Sequence, residues 1–174
     1  MTTLILFAHP DPARSRANEA LLAAAGGATV NRLATRYPDG AIDPAAEAAQ
    51  VLEHDALVLQ FPLQWYAMPA LLKDWLDAVL TRMVYVHGDT EGARLRGRKL
   101  LVAVTCGAPE SAYRPDGRNG FTLDELLRPL QATALRCGLA WQAPFVVYDA
   151  RDAAPDVLAQ AGARYAAALA ALAA

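Results

Sequence analysis

The sequence predicts a doubly wound α/β fold, a five-stranded parallel sheet between two helical layers. Five short apolar runs alternate with five helical patterns along 174 residues, the order expected of repeated β–α units. The runs are apolar at nearly every position rather than at every second one, as in strands buried on both faces. The first run passes through a short polar segment into a helix, the kind of joint at which such sheets place ligands. One domain, residues 1–174, accommodates all of this.

Taken in order, Thr3–Ala8 is the first strand, and the helix Ala17–Ala25 follows in a composition rich in alanine and leucine. Thr29–Leu33 and the helix Pro44–Glu53 come next, then the strand Ala56–Phe61. The helix Pro69–Thr81 sets Leu71, Leu72, Trp75, Leu76, Val79 and Leu80 on one face, with proline in the first turn where its missing N–H costs nothing. Lys99–Thr105 is the fourth strand. Thr122 and Glu125 form a capping box at the start of the helix Leu123–Arg136, which Pro129 is expected to kink and Gly138 to end. Pro144–Tyr148 is the fifth strand and Pro155–Leu172 an alanine-rich last helix. Two connections, Arg82–Arg98 and Gly107–Gly120, are long and irregular, and loops of that length more often carry function.

Composition narrows the function. With 16 basic and 18 acidic side chains the net charge is −2, which gives no electrostatic case for nucleic acid. Cys106 and Cys137 lack metal-ligand spacing and fit free thiols in a reducing cytosol. No apolar stretch reaches the roughly 18 residues of a membrane span. No basic segment followed by a cleavage site opens the chain, so a cytoplasmic protein is expected. A phospho-receiver domain would need acidic residues at the strand ends for Mg²⁺. Here the first strand ends Phe7-Ala8-His9-Pro10 and the third Gln60-Phe61-Pro62, with only Asp11 nearby.

Three segments should meet beyond the carboxyl ends of the strands. His9 to Asn18 offers free N–H groups and a helix dipole, a cradle for phosphate. Pro62-Leu63-Gln64-Trp65-Tyr66-Ala67-Met68-Pro69 offers aromatics at a turn. Thr105-Cys106-Gly107-Ala108-Pro109 offers small residues that let a flat ligand approach the backbone. A flavin mononucleotide needs all three.

The motifs Phe7-Ala8-His9-Pro10, Ser15-Arg16-Ala17-Asn18, Gln64-Trp65-Tyr66, the Pro69–Leu76 helix start, Leu95-Arg96-Gly97-Arg98-Lys99 and Thr105-Cys106-Gly107-Ala108, taken in order, resemble those of the flavodoxin-like NAD(P)H:quinone oxidoreductases. The nearest branch includes the ancillary subunit of glutathione-regulated potassium efflux systems. The likeness extends through Leu130–Ala134 and Cys137-Gly138-Leu139 to Pro144-Phe145. It implies strand order 2-1-3-4-5 and bound FMN. His9, Ser15, Arg16, Ala17 and Asn18 would surround the phosphate and ribityl chain. Trp65, Tyr66, Ala67 and Met68 would lie along the isoalloxazine edge, and Thr105, Cys106, Gly107 and Ala108 would cover the pyrimidine end. The implied reaction is a two-electron, ping-pong hydride transfer from NAD(P)H through flavin N5 to a quinone. The implied assembly is a homodimer, with a potassium efflux transporter as a further partner that would hold the chain at the inner face of the membrane. An azoreductase or general FMN reductase is the neighbouring alternative.

Several residues keep a plainer reading beside this one. Ser15 and Asn18 also fit a helix cap, Trp65 and Tyr66 a core position, and Arg16 a solvent face. Tyr113, and less strongly His87, are candidate proton donors to a quinone oxygen; Tyr113 also fits a loop aromatic. Cys106 has no resolving cysteine near it in sequence. The resemblance departs in two places. Tyr85–Leu95 is longer and more charged than the glycine-rich loop of relatives and is expected to line the pocket mouth. Ala108 stands where glycine is common, which requires a negative φ or a methyl turned from the ring.

Overall fold

The computed structural model describes residues 1–173. Its sheet runs β2-β1-β3-β4 with a divided fifth strand, and every pairing between named strands is parallel. The strands are β1 (Thr3–Phe7), β2 (Thr29–Arg32), β3 (Ala56–Pro62), β4 (Lys99–Thr105), β5 (Ala140–Trp141) and β6 (Phe145–Val147). β5 pairs with the start of β4 and β6 with its end, so both occupy the fifth position of the expected order 2-1-3-4-5. Sequence reading finds the second half of that strand but not Ala140–Trp141, a piece too short to show a period.

Side chains alternate across the sheet and both faces are packed. Leu4, Leu6, Leu57, Leu59, Phe61, Leu100, Val102 and Val104 enter one core. Ile5, Val58, Leu101 and Ala103 enter the other. The first core is closed by α3 (Pro44–Leu52), α4 (starting Ala70–Trp75) and α6 (Arg128–Cys137); the second by α1 (Arg16–Ala23) and α7 (Pro155–Ala173). Gly162 of α7 lets the two helices of that layer approach closely, since a Cβ there would stand 3.2 Å from the Ala24 methyl.

Three helical expectations are revised. α4 does not stop at Thr81 but continues through wide π-type turns, Leu76–Leu80 and Arg82–Val86, so the first part of the expected irregular connection is helix. Pro129 does not kink a continuous helix. It sits in the first turn of α6, and the chain breaks between α5 (Leu123–Leu126) and α6. A further turn, α2 (Leu33–Arg36), follows β2 directly. The Thr122–Glu125 capping box is present, and Gly138 ends α6 at φ 70°.

One buried carboxylate joins the β2 edge to the helical layer. Glu47 of α3 is fully buried. It accepts from Trp75 Nε1 at 2.6 Å, Asn31 Nδ2 at 2.8 Å and the Tyr37 hydroxyl at 2.8 Å, and it pairs with Arg36 at 2.8 Å. An alanine-rich helix is thereby fixed against α2, α4 and β2 by charge-assisted hydrogen bonds.

Candidate functional site

The three ligand segments do meet at the carboxyl end of the sheet. Pro62 lies beside Thr105 in register, Leu63 N–H donates to the Thr105 carbonyl, and Asn18 Nδ2 donates to Thr105 Oγ1 at 3.0 Å. Each segment then offers hydrogen-bonding groups that the fold itself leaves unused.

After β1, a 3₁₀ turn, Pro12–Arg14, brings Ser15 to the position before α1. Ser15 is buried, yet its hydroxyl neither caps the helix nor finds any other protein partner among the described residues. The first internal bond of α1 runs from Glu19 N–H to the Ser15 carbonyl, so the Arg16, Ala17 and Asn18 amides precede the helix ladder. His9 sits at the same mouth. Its Nδ1 accepts from the Asp11 amide at 3.0 Å, which leaves Nε2 as the protonated nitrogen, a donor. Burial lowers the His9 pKa below the ordinary value. The linkage has a definite sign: the neutral ring favours the fold above about pH 6.5, and that contribution is lost as pH falls through the lowered folded-state value. Apo protein is therefore expected to lose melting temperature between pH 7 and pH 5, and His9→Gln to lose less. Equal losses would mean that His9 is not the titrating group.

After β3, Gln64 and Ala67 exchange both backbone hydrogen bonds. The turn between them places Trp65 at φ 45° and Tyr66 at φ 64°. Two consecutive non-glycine residues in the left-handed region are costly, and such strain concentrates at ligand-binding turns. Trp65 is 93% exposed and Tyr66 47%, so neither is a core aromatic. Met68 is half-buried against the α3–α4 core. A cavity of about 460 Å³ opens between His9-Pro10, the α2 side (Ala34, Tyr37, Pro38) and the start of α4 (Pro69–Leu71), touching this turn only at Gln64.

After β4, Cys106 N–H donates to Val147 and the Cys106 and Ala108 carbonyls accept from Ala150 and Asp149, which pins this loop to the one after β6. The Gly107 and Ala108 amides have no backbone acceptor among the described residues. Ala108 is buried in the core at negative φ, so its methyl faces inward, as the departure from glycine requires. Among the described residues beyond its chain neighbours, the Arg151 guanidinium comes nearest the place of a Gly107 Cβ, at 3.7 Å.

Tyr113 is buried in the same core as Cys106, its ring 5.6 Å from that of Tyr148. Burial, with Cys106 beside it, raises its pKa well above the ordinary phenol value. It stays protonated at neutral pH. Burial likewise pushes the Cys106 thiol up to about 11, the opposite of an activated thiolate. Asn18 and Thr105 turn out to be buried partners of each other.

His87 is not brought to this group. It ends the π-helical extension of α4, and the Gly88–Gly92 turn beside it meets Arg96 and Gly138, at the amino end of β4. Within one chain, Tyr85–Leu95 therefore lies at the far end of the sheet from the pocket it was expected to line. The neighbouring Arg94–Lys99 edge is partly committed within the fold: Arg94 donates to the Leu52 carbonyl and Arg98 to the Val51 and Leu52 carbonyls at the end of α3.

A family model described as flavodoxin-like fold matches residues 1–169. The chain belongs to this family. It is 42% identical over 165 residues to the glutathione-regulated potassium-efflux system ancillary protein KefG of Cronobacter sakazakii, covering 93% of this chain and 89% of that one. Among solved structures it is similar to general stress protein 14 of Treponema denticola in complex with FMN, at TM-score 0.90 and 39% identity over 99% of both chains. It is also similar to an NADPH-quinone reductase from P. pentosaceus, at TM-score 0.84 and 30% identity over 95% and 96% of the two chains. The family inferred from the motifs is thus borne out, as is the strand order.

Proposed function

We propose that this protein binds FMN and works as an NAD(P)H:quinone oxidoreductase. The observation that carries the reading is the buried, unpartnered Ser15 hydroxyl at the head of α1. A buried hydroxyl left unsatisfied costs about 1–3 kcal/mol, and a phosphate at a helix N-terminus is the ligand that satisfies it. The FMN complex of a relative 39% identical and the quinone reductase at 30% support the same conclusion.

In this reading His9 Nε2–H, the Ser15 hydroxyl and the amides of Arg16, Ala17 and Asn18 hold the phosphate and ribityl chain. The exposed turn Trp65–Met68 borders the ring. The amides of Gly107 and Ala108, free of backbone acceptors, face its pyrimidine end, where they favour negative charge. Bound FMN supplies the hydride chemistry between NAD(P)H and a quinone. Tyr113 keeps its proton at neutral pH and is the donor to an acceptor oxygen. Cys106, as a thiol, takes no covalent part.

The deciding experiment adds FMN to purified protein, desalts it and records the visible spectrum. A retained flavin spectrum, bleached by NAD(P)H and restored by a quinone, is the expected result. Folded protein that retains no flavin overturns the reading. Ser15→Ala is expected to weaken FMN binding about 10-fold while leaving apo stability equal or slightly higher, because it deletes an unsatisfied group rather than a bond.

A second reading, an ancillary subunit of a potassium efflux system, is favoured by the identity to KefG. Exposed Tyr85, Val86 and Leu135, with a groove of about 360 Å³ between α4 and α6, supply apolar surface for a second copy of the chain or for such a partner. Co-purification with a transporter supports this role, and a flavin-loaded dimer that captures none leaves the reductase free-standing.

A further inference from the structure

A buried polar chain runs beneath all three ligand segments. The Tyr165 hydroxyl on α7 donates to Gln60 Oε1 at 2.9 Å. Gln60 Nε2 donates to the Asn18 carbonyl at 3.0 Å and approaches Asn18 Oδ1 at 3.4 Å. Asn18 Nδ2 donates to Thr105 Oγ1 at 3.0 Å. Tyr165 and Gln60 are fully buried, Asn18 is 1% exposed and Thr105 5%.

The placement of Gln60 is unusual. It sits on a central strand, on the same side of β3 as Ala56 and Val58, where an apolar residue would serve the core at no desolvation cost. Its main-chain carbonyl also accepts from Ala8 N–H, at the root of the first segment. Asn18 closes the phosphate segment, Thr105 opens the pyrimidine segment, and Gln60 stands just before the strand end that carries the Trp65-Tyr66 turn. A side-chain amide has one acceptor and one donor end, so it can tie α7 on one side to α1 on the other. The Asn18 amide extends the tie to β4. Fully satisfied networks of this kind fix one arrangement of the elements they join.

We infer that Gln60 is a positioning residue for the flavin site, holding the three ligand segments in register through Asn18 and Thr105 with Tyr165 as its anchor. The inference rests on the FMN reading above. Gln60 touches no ligand in this scheme and acts through the loops.

The test compares FMN dissociation constants, read by quenching of flavin fluorescence, with apo melting temperatures for four proteins. These are wild type, Gln60→Leu, Tyr165→Phe and Leu169→Ala. Leu169 lies in the same apolar core on α7 but outside the chain of hydrogen bonds, so it controls for loss of stability alone. Gln60→Leu is expected to weaken FMN binding about 10- to 100-fold and Tyr165→Phe about 3- to 10-fold, with Leu169→Ala within about 2-fold of wild type despite a comparable drop in melting temperature. Should Gln60→Leu fail to fold, Tyr165→Phe, which keeps the ring in place, carries the comparison. Wild-type binding combined with unchanged affinity in Gln60→Leu and Tyr165→Phe overturns this inference alone. Wild type that binds no FMN overturns the flavin reading and this inference with it.

Discussion

Glu47→Ala is expected to lower the melting temperature by about 10 °C, a loss of about 3–5 kcal/mol, with FMN affinity of the folded fraction unchanged. The carboxylate is the acceptor for Trp75 Nε1 and the Tyr37 hydroxyl, and one of two acceptors for Asn31 Nδ2, which also reaches Gln50. Truncation strands an indole N–H inside the core and takes the carboxylate from the phenol. It also releases Arg36, whose side chain is 44% exposed and therefore returns to water at little cost. The penalty comes from the stranded neutral donors more than from the lost ion pair. Glu47→Gln, which keeps the shape but offers one oxygen to several donors, should fall between. Melts followed by circular dichroism settle the magnitude. A drop below about 2 °C would mean that Trp75 and Tyr37 find other acceptors.

That hub marks where the sequence stops being legible. Glu47 is one acid in an alanine-rich helix, and nothing within a helical turn of it points to Asn31, Tyr37 or Trp75. Its role exists only once β2, α2 and α4 converge. The strands were legible for the opposite reason: burial on both faces makes each a continuous apolar run, and Leu4-Ile5-Leu6 divides between the two cores as a period of two demands. The helical extension over Arg82–Val86 was hidden by weak helix formers, since Val84, Tyr85 and Val86 carry little propensity. Buried Met83 and the Arg82–Glu91 pair at 2.7 Å accompany it in the folded chain.

The site divides in the same way. Ser15 to Asn18 follows a strand and opens a helix, so its chemistry is local and readable. Tyr113 lies in a segment without periodicity, and its burial depends on packing against Cys106 and Tyr148 from other loops. Gln60 left a trace that was available, a polar residue inside a strand apolar on both sides. Two aromatic residues in the left-handed region at Trp65 and Tyr66 left none, because only the closed turn forces them there.

Gly107→Val is expected to separate folding from cofactor binding, with a melting temperature within about 2 °C of wild type and FMN affinity about 10- to 100-fold weaker. Gly107 is exposed and is not among the glycines held at positive φ, so its backbone tolerates a branched residue. Among the described residues beyond its chain neighbours, an added Cβ meets the end of the Arg151 side chain at 3.7 Å, an ordinary contact that a flexible guanidinium can widen. In the protein alone the valine meets mainly solvent. In the proposed FMN site the same volume falls where the pyrimidine end would approach the Gly107 and Ala108 amides. Gly117 is the informative contrast: a Cβ there would stand 2.4 Å from the Ser111 carbonyl, so Gly117→Ala should strain the turn that seats Tyr113. Fluorescence titration with FMN beside a thermal melt distinguishes the outcomes. Unchanged affinity in Gly107→Val would place the ring elsewhere than over this loop, whereas lost affinity with an intact melt supports Gly107 as a point of close approach.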